Sequence, residues 1–300
     1  MSDMLIKSRA KLYDNFPKEN LNFLASILRS YSVGKSDLDG IKDSVENFIF
    51  ENHKYNSDGV KTELSELSLV GDDFYRQLLT SPAITPNGII KPKVETLNLY
   101  QEICRSFFSL MQNLGVFDCY SKLALPNVRI KAPAIYEKED VKVRPYYTGK
   151  LHSDAWVGHV SDSIILLILF GDLKNTVEFF EPIKPNKYFF AKAESFESGI
   201  ARVEGTAFLT TMKKNQMYVM DHGCIHRTKS DEKNSGFRIS IDCAAYLKNN
   251  IGVPFTDETY SYYPSGNLEN LGKSWMLRTK DEIYSNKREG VTLEAYVTHE

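Results

Sequence analysis

Residues 237–243 read Phe237-Arg238-Ile239-Ser240-Ile241-Asp242-Cys243, with polar and apolar side chains in strict alternation. Successive side chains on a strand point to opposite faces. The stretch is therefore read as a strand with Arg238, Ser240 and Asp242 on one face and Phe237, Ile239, Ile241 and Cys243 on the other. A polar face that carries a cation suits a cavity receiving a carboxylate, because a guanidinium holds both oxygens at once and so fixes orientation as well as charge.

Upstream of this strand, Met217 to Met220 reads as a short apolar strand, Asp221-His222-Gly223 as a turn, and Cys224-Ile225-His226 as the start of the next strand. Much earlier comes Lys150-Leu151-His152-Ser153-Asp154-Ala155-Trp156. On a strand, His152 and Asp154 point the same way and bind one metal together, and Val143, Tyr146, Tyr147, Trp156 and Val157 around them have the β-branched and aromatic character of a sheet. Two imidazoles and one carboxylate, His152, His226 and Asp154, form a set that binds iron(II) on one face and leaves the opposite positions open for a chelating co-substrate and oxygen. His226 is far from His152 in sequence, so a fold must bring two strands together. A jelly roll does so, since its sheets face each other across a narrow barrel mouth. His222, four residues before His226, is the competing distal ligand. His159 has the opposite parity to His152, and His53 and His299 lie in polar segments.

The order H-x-D, a distal His, then Arg-x-Ser about a dozen residues later resembles the iron(II)/2-oxoglutarate-dependent dioxygenases, over roughly residues 130–246. The resemblance implies that His152, Asp154 and His226 bind Fe(II), and that Arg238 and Ser240 grip the distal carboxylate of 2-oxoglutarate. It also implies a reaction that consumes molecular oxygen, converts 2-oxoglutarate to succinate and carbon dioxide, and hydroxylates a small-molecule substrate. Relatives that transfer halogen carry a small residue at the carboxylate position; Asp154 disfavours that outcome. The helices preceding the barrel resemble the phytanoyl-CoA-hydroxylase-like branch. Two other classes fit the residues: a cupin-like metal enzyme that does not use 2-oxoglutarate, and a non-catalytic jelly-roll module that binds a sugar or protein. Arg144, Tyr146, Tyr147, Lys150 and Trp156 are candidates to meet the co-substrate or substrate, and an arginine and a lysine beside two tyrosines hint at an anionic or polar molecule.

Three hundred residues, 42% of them hydrophobic and 25% charged, suffice for a sizeable core. A net charge of −2 gives no large basic surface, so no nucleic-acid partner is expected. The most apolar run, Ile164 to Phe170, is far shorter than a membrane span and reads as a strand buried on both faces, and no membrane association is expected. Cys104, Cys119, Cys224 and Cys243 have neither C-x-x-C nor zinc-ribbon spacing, which is read as four small buried residues in a reduced, cytoplasmic protein. The first residues contain no long apolar stretch of a secretory signal. Nothing in the chain fixes an oligomeric state.

The fold expected is mainly β with flanking helices: a double-stranded β-helix (jelly roll, cupin-like) core behind an N-terminal helical region. The helical region covers 1–120, the core 121–250 with an insertion at 182–215 suited to covering the site, and a turn-rich and helical extension 251–300, together one structural domain. Helices are expected over 20–31, 36–51, 60–79, 94–114 and 268–287, the fourth with an apolar stripe at three- and four-residue steps that packs outside the barrel. Strands are expected over 128–136, 141–147, 152–159, 164–170 and 177–182, followed by the two read above. The aromatic stretch 258–264 is a candidate for the cavity mouth.

Overall fold

The computed structural model describes residues 2–14, 16–53, 84–85, 87–93, 95–116, 119–124, 126–131, 139–157, 163–171, 176–229, 238–247 and 277–278. Among these, β-structure dominates. The strands are β1 (Leu21–Ala25), β2 (Leu28–Ser32), β3 (Ile89–Ile90), β4 (Tyr120–Ala124), β5 (Asn127–Lys131), β6 (Ser163–Gly171), β7 (Thr176–Ile183), β8 (Gly205–Thr211), β9 (Gln216–Asp221), β10 (Ile225–Lys229), β11 (Arg238–Leu247) and β12 (Leu277–Arg278). All their pairings are antiparallel.

The large sheet runs β1-β2-β9-β6-β11-β4-β12. β11 pairs along its length with β6 on one edge, and its other edge is shared by β5 and β4. The small sheet runs β10-β7-β8, and an isolated bridge between His152 and His226 adds one more rung beyond β10. From β6 onward the chain alternates between sheets: β6 in the large one, β7 and β8 in the small one, β9 in the large, β10 in the small, β11 in the large.

The strands at the centre have two buried faces. Ile164, Leu166, Ile168 and Phe170 of β6, with Ile239, Ile241, Cys243 and Ala245 of β11, belong to one apolar cluster. That cluster is completed by the two helices that follow α1 (Ser2–Ala10), α2 (Lys35–His53) and α3 (Leu97–Asn113), through Ile41, Val45, Phe48 and Ile49 from α2 and Tyr100, Ile103, Phe107, Phe108 and Met111 from α3. The helical stripe read in the sequence is thus the face that covers the large sheet. A second cluster lies between the sheets, with Ile165, Leu167 and Leu169 of β6 against Val177 and Phe179 of β7 and Ile225 of β10.

Several expected elements differ. Residues 21–25 and 28–32 form a hairpin, not a helix, because β2 completes the edge of β9 from Leu28↔Met220 to Ser32↔Gln216. Sheet pairing of this kind overrides local propensity. Residues 141–147 are not a strand: the short helix Glu139–Lys142 gives way to turns, where Pro145 lacks the N–H a ladder requires. His152 makes only its bridge, and the chain then turns into a 3-10 helix, Asp154–Val157, instead of continuing as a strand. Leu277 and Arg278, expected in a helix, pair with Leu123 and Ala124 of β4. Cys119 is half-buried while the other three cysteines are buried, and all four are free thiols. The expected helix over 60–79, the stretch 258–264, His159 and His299 lie outside the described residues.

The 182–215 insertion holds β8 and a one-turn helix, Phe196–Ile200, closed at its start by a reciprocal Ser195/Ser198 capping box. Its Gly199 packs on Trp156, and a Cβ at that position would run into the indole ring. Among the described residues no helix is long and apolar enough to cross a membrane.

Candidate metal centre

The turn after the bridge does what a regular strand was expected to do. The His152 N–H donates to the His226 carbonyl at 2.9 Å, and the His226 N–H donates back at 2.8 Å, so the two histidines are locked opposite each other. The ring centroids are 4.2 Å apart. Asp154 opens the 3-10 helix and brings its Oδ1 to 3.9 Å from His226 Nε2. One ligand atom from each of His152, Asp154 and His226 lies within 4.8 Å of the others. Metal–ligand bonds of about 2 Å each would draw these atoms closer together, to roughly 3 Å for ligands at right angles.

Hydrogen bonds define which nitrogens are available. His152 Nδ1 lies 2.8 Å from the Lys150 carbonyl, and His226 Nδ1 lies 3.2 Å from the Cys224 carbonyl. A carbonyl only accepts, so each Nδ1 carries the proton and each Nε2 keeps its lone pair. Orientation of this kind by a backbone acceptor is how ligating histidines are held. Phe196 from the insertion stacks on His152 with centroids 4.3 Å apart. Burial, reinforced by the neighbouring His226, lowers His152 to about 3 despite the opposing pull of Asp154. The ring is therefore neutral at physiological pH, as a metal ligand must be.

The three residues open into a cavity of about 440 Å³ between the sheets. Its inner wall includes Ile165, Leu167, Val177 and Met220, and the inward face of β11 contributes Arg238, Ser240, Asp242 and Ala244. The alternation read in residues 237–243 thus separates cavity from core for each of the described positions 238–243. Asp242 is matched within the wall: Arg129 Nε donates to its Oδ1, Arg129 Nη2 to its Oδ2 at 3.2 Å, and Asn127 Nδ2 to its Oδ2 at 2.9 Å.

Arg238 is held less completely. It is buried, and its Nη1 and Nη2 reach the Thr176 carbonyl at 3.4 Å and Thr228 Oγ1 at 3.3 Å, while its Nε has no hydrogen-bond partner among the described residues. Burial lowers it to about 10, with Arg129 acting in the same direction and Asp242 opposing, so it remains a cation at neutral pH. A buried donor without a partner is costly, and a carboxylate in the cavity would supply one. The donor set and the orphaned nitrogen fit a divalent metal and an organic acid in one enclosure.

The other candidates separate. His222 is buried but lines no part of the cavity; its carbonyl accepts from the Ala155 N–H at 3.2 Å and from Ser153 Oγ, tying the 3-10 turn to the turn before β10. Tyr146 lines the cavity and donates its hydroxyl to the Ala193 carbonyl at 2.7 Å. Trp156 is buried and donates to the Phe189 carbonyl at 2.8 Å, away from the cavity. Lys150 pairs with Glu197 and donates to the Arg144 carbonyl at 3.1 Å, and neither it nor Arg144 nor Tyr147 lines the cavity. The cations that do, besides Arg238, are Arg129, Lys131 and Lys192. The first two were readable as the polar parity of Asn127-Val128-Arg129-Ile130-Lys131 in β5. Nothing in the sequence singles out Lys192 or Phe196.

No protein-family model matches the chain, and no curated protein does. Among solved structures it is similar to AviO1 from Streptomyces viridochromogenes Tue57, at 12% identity over 79% of this chain and 93% of that one, with a TM-score of 0.34. It is similar also to ThoJ, described as a non-heme monooxygenase, in its apo form (12% identity, 79% and 76% covered, TM-score 0.31) and as a nickel complex (13% identity, the same coverage, TM-score 0.31). A likeness this slight assigns the chain neither an activity nor a ligand.

Proposed function

We propose that the protein is a non-haem iron(II)- and 2-oxoglutarate-dependent oxygenase that hydroxylates a small molecule. The observation that carries this reading is the meeting, in one cavity, of the His152/Asp154/His226 set with a buried arginine whose Nε lacks a partner among the described residues. A bare metal site would not need Arg238 there; a chelating acid with a second carboxylate would. The strand alternation between facing sheets, β5, β6, β9 and β11 in one and the His152 bridge, β7, β8 and β10 in the other, supports a jelly-roll core.

In this reading His152 and His226 offer Nε2 and Asp154 one carboxylate oxygen to iron(II). Bound iron(II), chelated by the 2-oxo acid, supplies activation of molecular oxygen for oxidation of a substrate carbon, with succinate and carbon dioxide as co-products. The chain's part is positional. Arg238 and Ser240 orient the far carboxylate, Thr228 steadies the guanidinium, Phe196 backs His152, and the apolar wall from β6 and β7 keeps water from the reacting centre.

The test is an anaerobic titration of the metal-free protein with iron(II) and then 2-oxoglutarate, followed in the visible range. The expected result is a charge-transfer band of the chelated 2-oxo acid, diminished in Arg238→Ala at moderate 2-oxoglutarate. Iron binding without the band would overturn the use of 2-oxoglutarate, and failure to bind iron would overturn the metal reading.

A further inference from the structure

Within the metal reading of the proposed function, on which this inference rests, we propose that Arg9 is a positioning residue for the metal centre. Through Asp221 it fixes the turn on which all three ligand residues hang, so that docking of helix α1 and loading of the metal favour each other.

Asp221 closes β9, and the turn from it to Cys224 leads into β10. That turn is tied to each ligand. The Cys224 carbonyl lies 3.2 Å from His226 Nδ1. The His222 carbonyl accepts from Ser153 Oγ and from the Ala155 N–H at 3.2 Å, on either side of Asp154. His152 is held in turn by its paired backbone bonds to His226. Asp221 sets the shape of the turn: its Oδ1 accepts from the Gly223 N–H at 2.8 Å and its carbonyl from the Cys224 N–H at 2.9 Å.

What holds Asp221 comes from 212 positions earlier in the chain. Arg9 Nε donates to Asp221 Oδ2, and both side chains are fully buried. The same guanidinium lies 5.6 Å from the centre of the Phe190 ring, which packs so closely on Gly223 that a Cβ there would run into it. Arg9 thus braces the turn twice, by charge at Asp221 and through the ring over Gly223. A buried pair is poor evidence for stability, since apolar side chains of similar size often serve as well, whereas removing one partner leaves a buried charge uncompensated. Burial pushes the Asp221 carboxyl up, and Arg9 and the Gly223 N–H pull against it. Without Arg9 the carboxyl is relieved only by taking up a proton or by moving, and either weakens its charge-assisted hold on Gly223. The dependence also runs the other way. α1 is nine residues long, too short to persist as a helix without tertiary contacts, and among its described side chains Ile6 and Arg9 are the buried ones. A metal that favours the ordered turn therefore favours the docked helix, by linkage.

The experiment measures manganese(II) affinity of the intact chain without 2-oxoglutarate, from the EPR signal of the free ion, and amide hydrogen exchange of residues 2–10 with and without manganese. Arg9→Met is expected to bind manganese about ten- to a hundredfold more weakly than wild type, as for the loss of other groups that orient ligands, and Arg9→Lys to recover most of the difference. Phe107→Ala, destabilised in the cluster on the far side of the large sheet from the turn, is expected to bind as wild type does. In the wild type, manganese at about a hundred times its Kd is expected to slow exchange in α1 by about a hundredfold, and in Arg9→Met by no more than a few-fold. Wild-type manganese affinity in Arg9→Met, or α1 exchange in the wild type that is indifferent to manganese, would overturn the role of Arg9; the second result decides even if Arg9→Met does not fold. A wild-type protein that binds no manganese would instead sink the metal reading itself.

Discussion

The two faces of β11 are made by neighbouring residues and have opposite characters. Outward, Ile239, Ile241, Cys243 and Ala245 join β6 and the helices α2 and α3 in a cluster built of apolar side chains and a few tyrosines and cysteines. Inward, Arg238, Ser240, Asp242 and Ala244 line a cavity with His152, Asp154 and His226 on its opposite side. The outer face supplies stability by burying area. The inner face buries the Arg238 guanidinium, whose Nε has no partner among the described residues, and this costs stability unless a ligand meets it. A single period-two pattern thus divides the sheet into a stabilising side and a binding side. The division implies that each side can be damaged separately.

The largest separable effect is expected from the inner side. His226→Ala should weaken metal binding by more than about a hundredfold, since even the loss of a group that only orients a ligand costs ten- to a hundredfold, while the metal-free protein keeps its melting temperature to within a few degrees. His222→Ala should do the reverse, retaining metal affinity and losing stability, because His222 is buried away from the cavity. Metal titration and thermal melts of the two variants decide this; loss of metal binding in His222→Ala alone would exchange their roles.

On the outer side, Phe107→Ala removes a fully buried ring of α3 and should cost about 3–5 kcal/mol in urea unfolding, with metal affinity unchanged once the protein is folded. A parallel fall in metal affinity would mean that the two faces are not separable. The smallest effect is expected where the faces communicate. Gly199→Ala drives a Cβ into Trp156, which should cost about 1–3 kcal/mol by overpacking and, by shifting the helix that carries Phe196, weaken metal binding by a few-fold. Unchanged affinity together with reduced stability would remove Phe196 from the support of His152.

Much of this partition is legible in the sequence because it rests on local periodicity. The alternation of 237–243, the unbroken apolar run of β6 and the stripe of α3 each state which side faces what. The hairpin 21–32 is not legible, since Leu21, Leu24, Leu28 and Tyr31 recur at helix-like steps and only the open edge of β9, far along the chain, makes β2 a strand. The H-x-D pair points to residues the fold does bring together, but through a single bridge and a 3-10 turn, a geometry set by His226 on another strand and by Ser153 bonding to the His222 carbonyl. Lys131 shows the same limit. Its parity is visible in β5, but that it opposes Arg238 depends on a pairing register that local sequence does not encode.

The central claim is that the cavity holds a metal on His152, Asp154 and His226 and an acid on Arg238 together. A crystal structure of the protein with manganese(II) and 2-oxoglutarate, grown without oxygen, tests it most directly. Manganese is expected on Nε2 of both histidines and an Asp154 oxygen, chelated by the 2-oxo acid, whose far carboxylate contacts Arg238 Nε. Manganese bound elsewhere, or the acid lying with Arg238 still unpartnered, would contradict it.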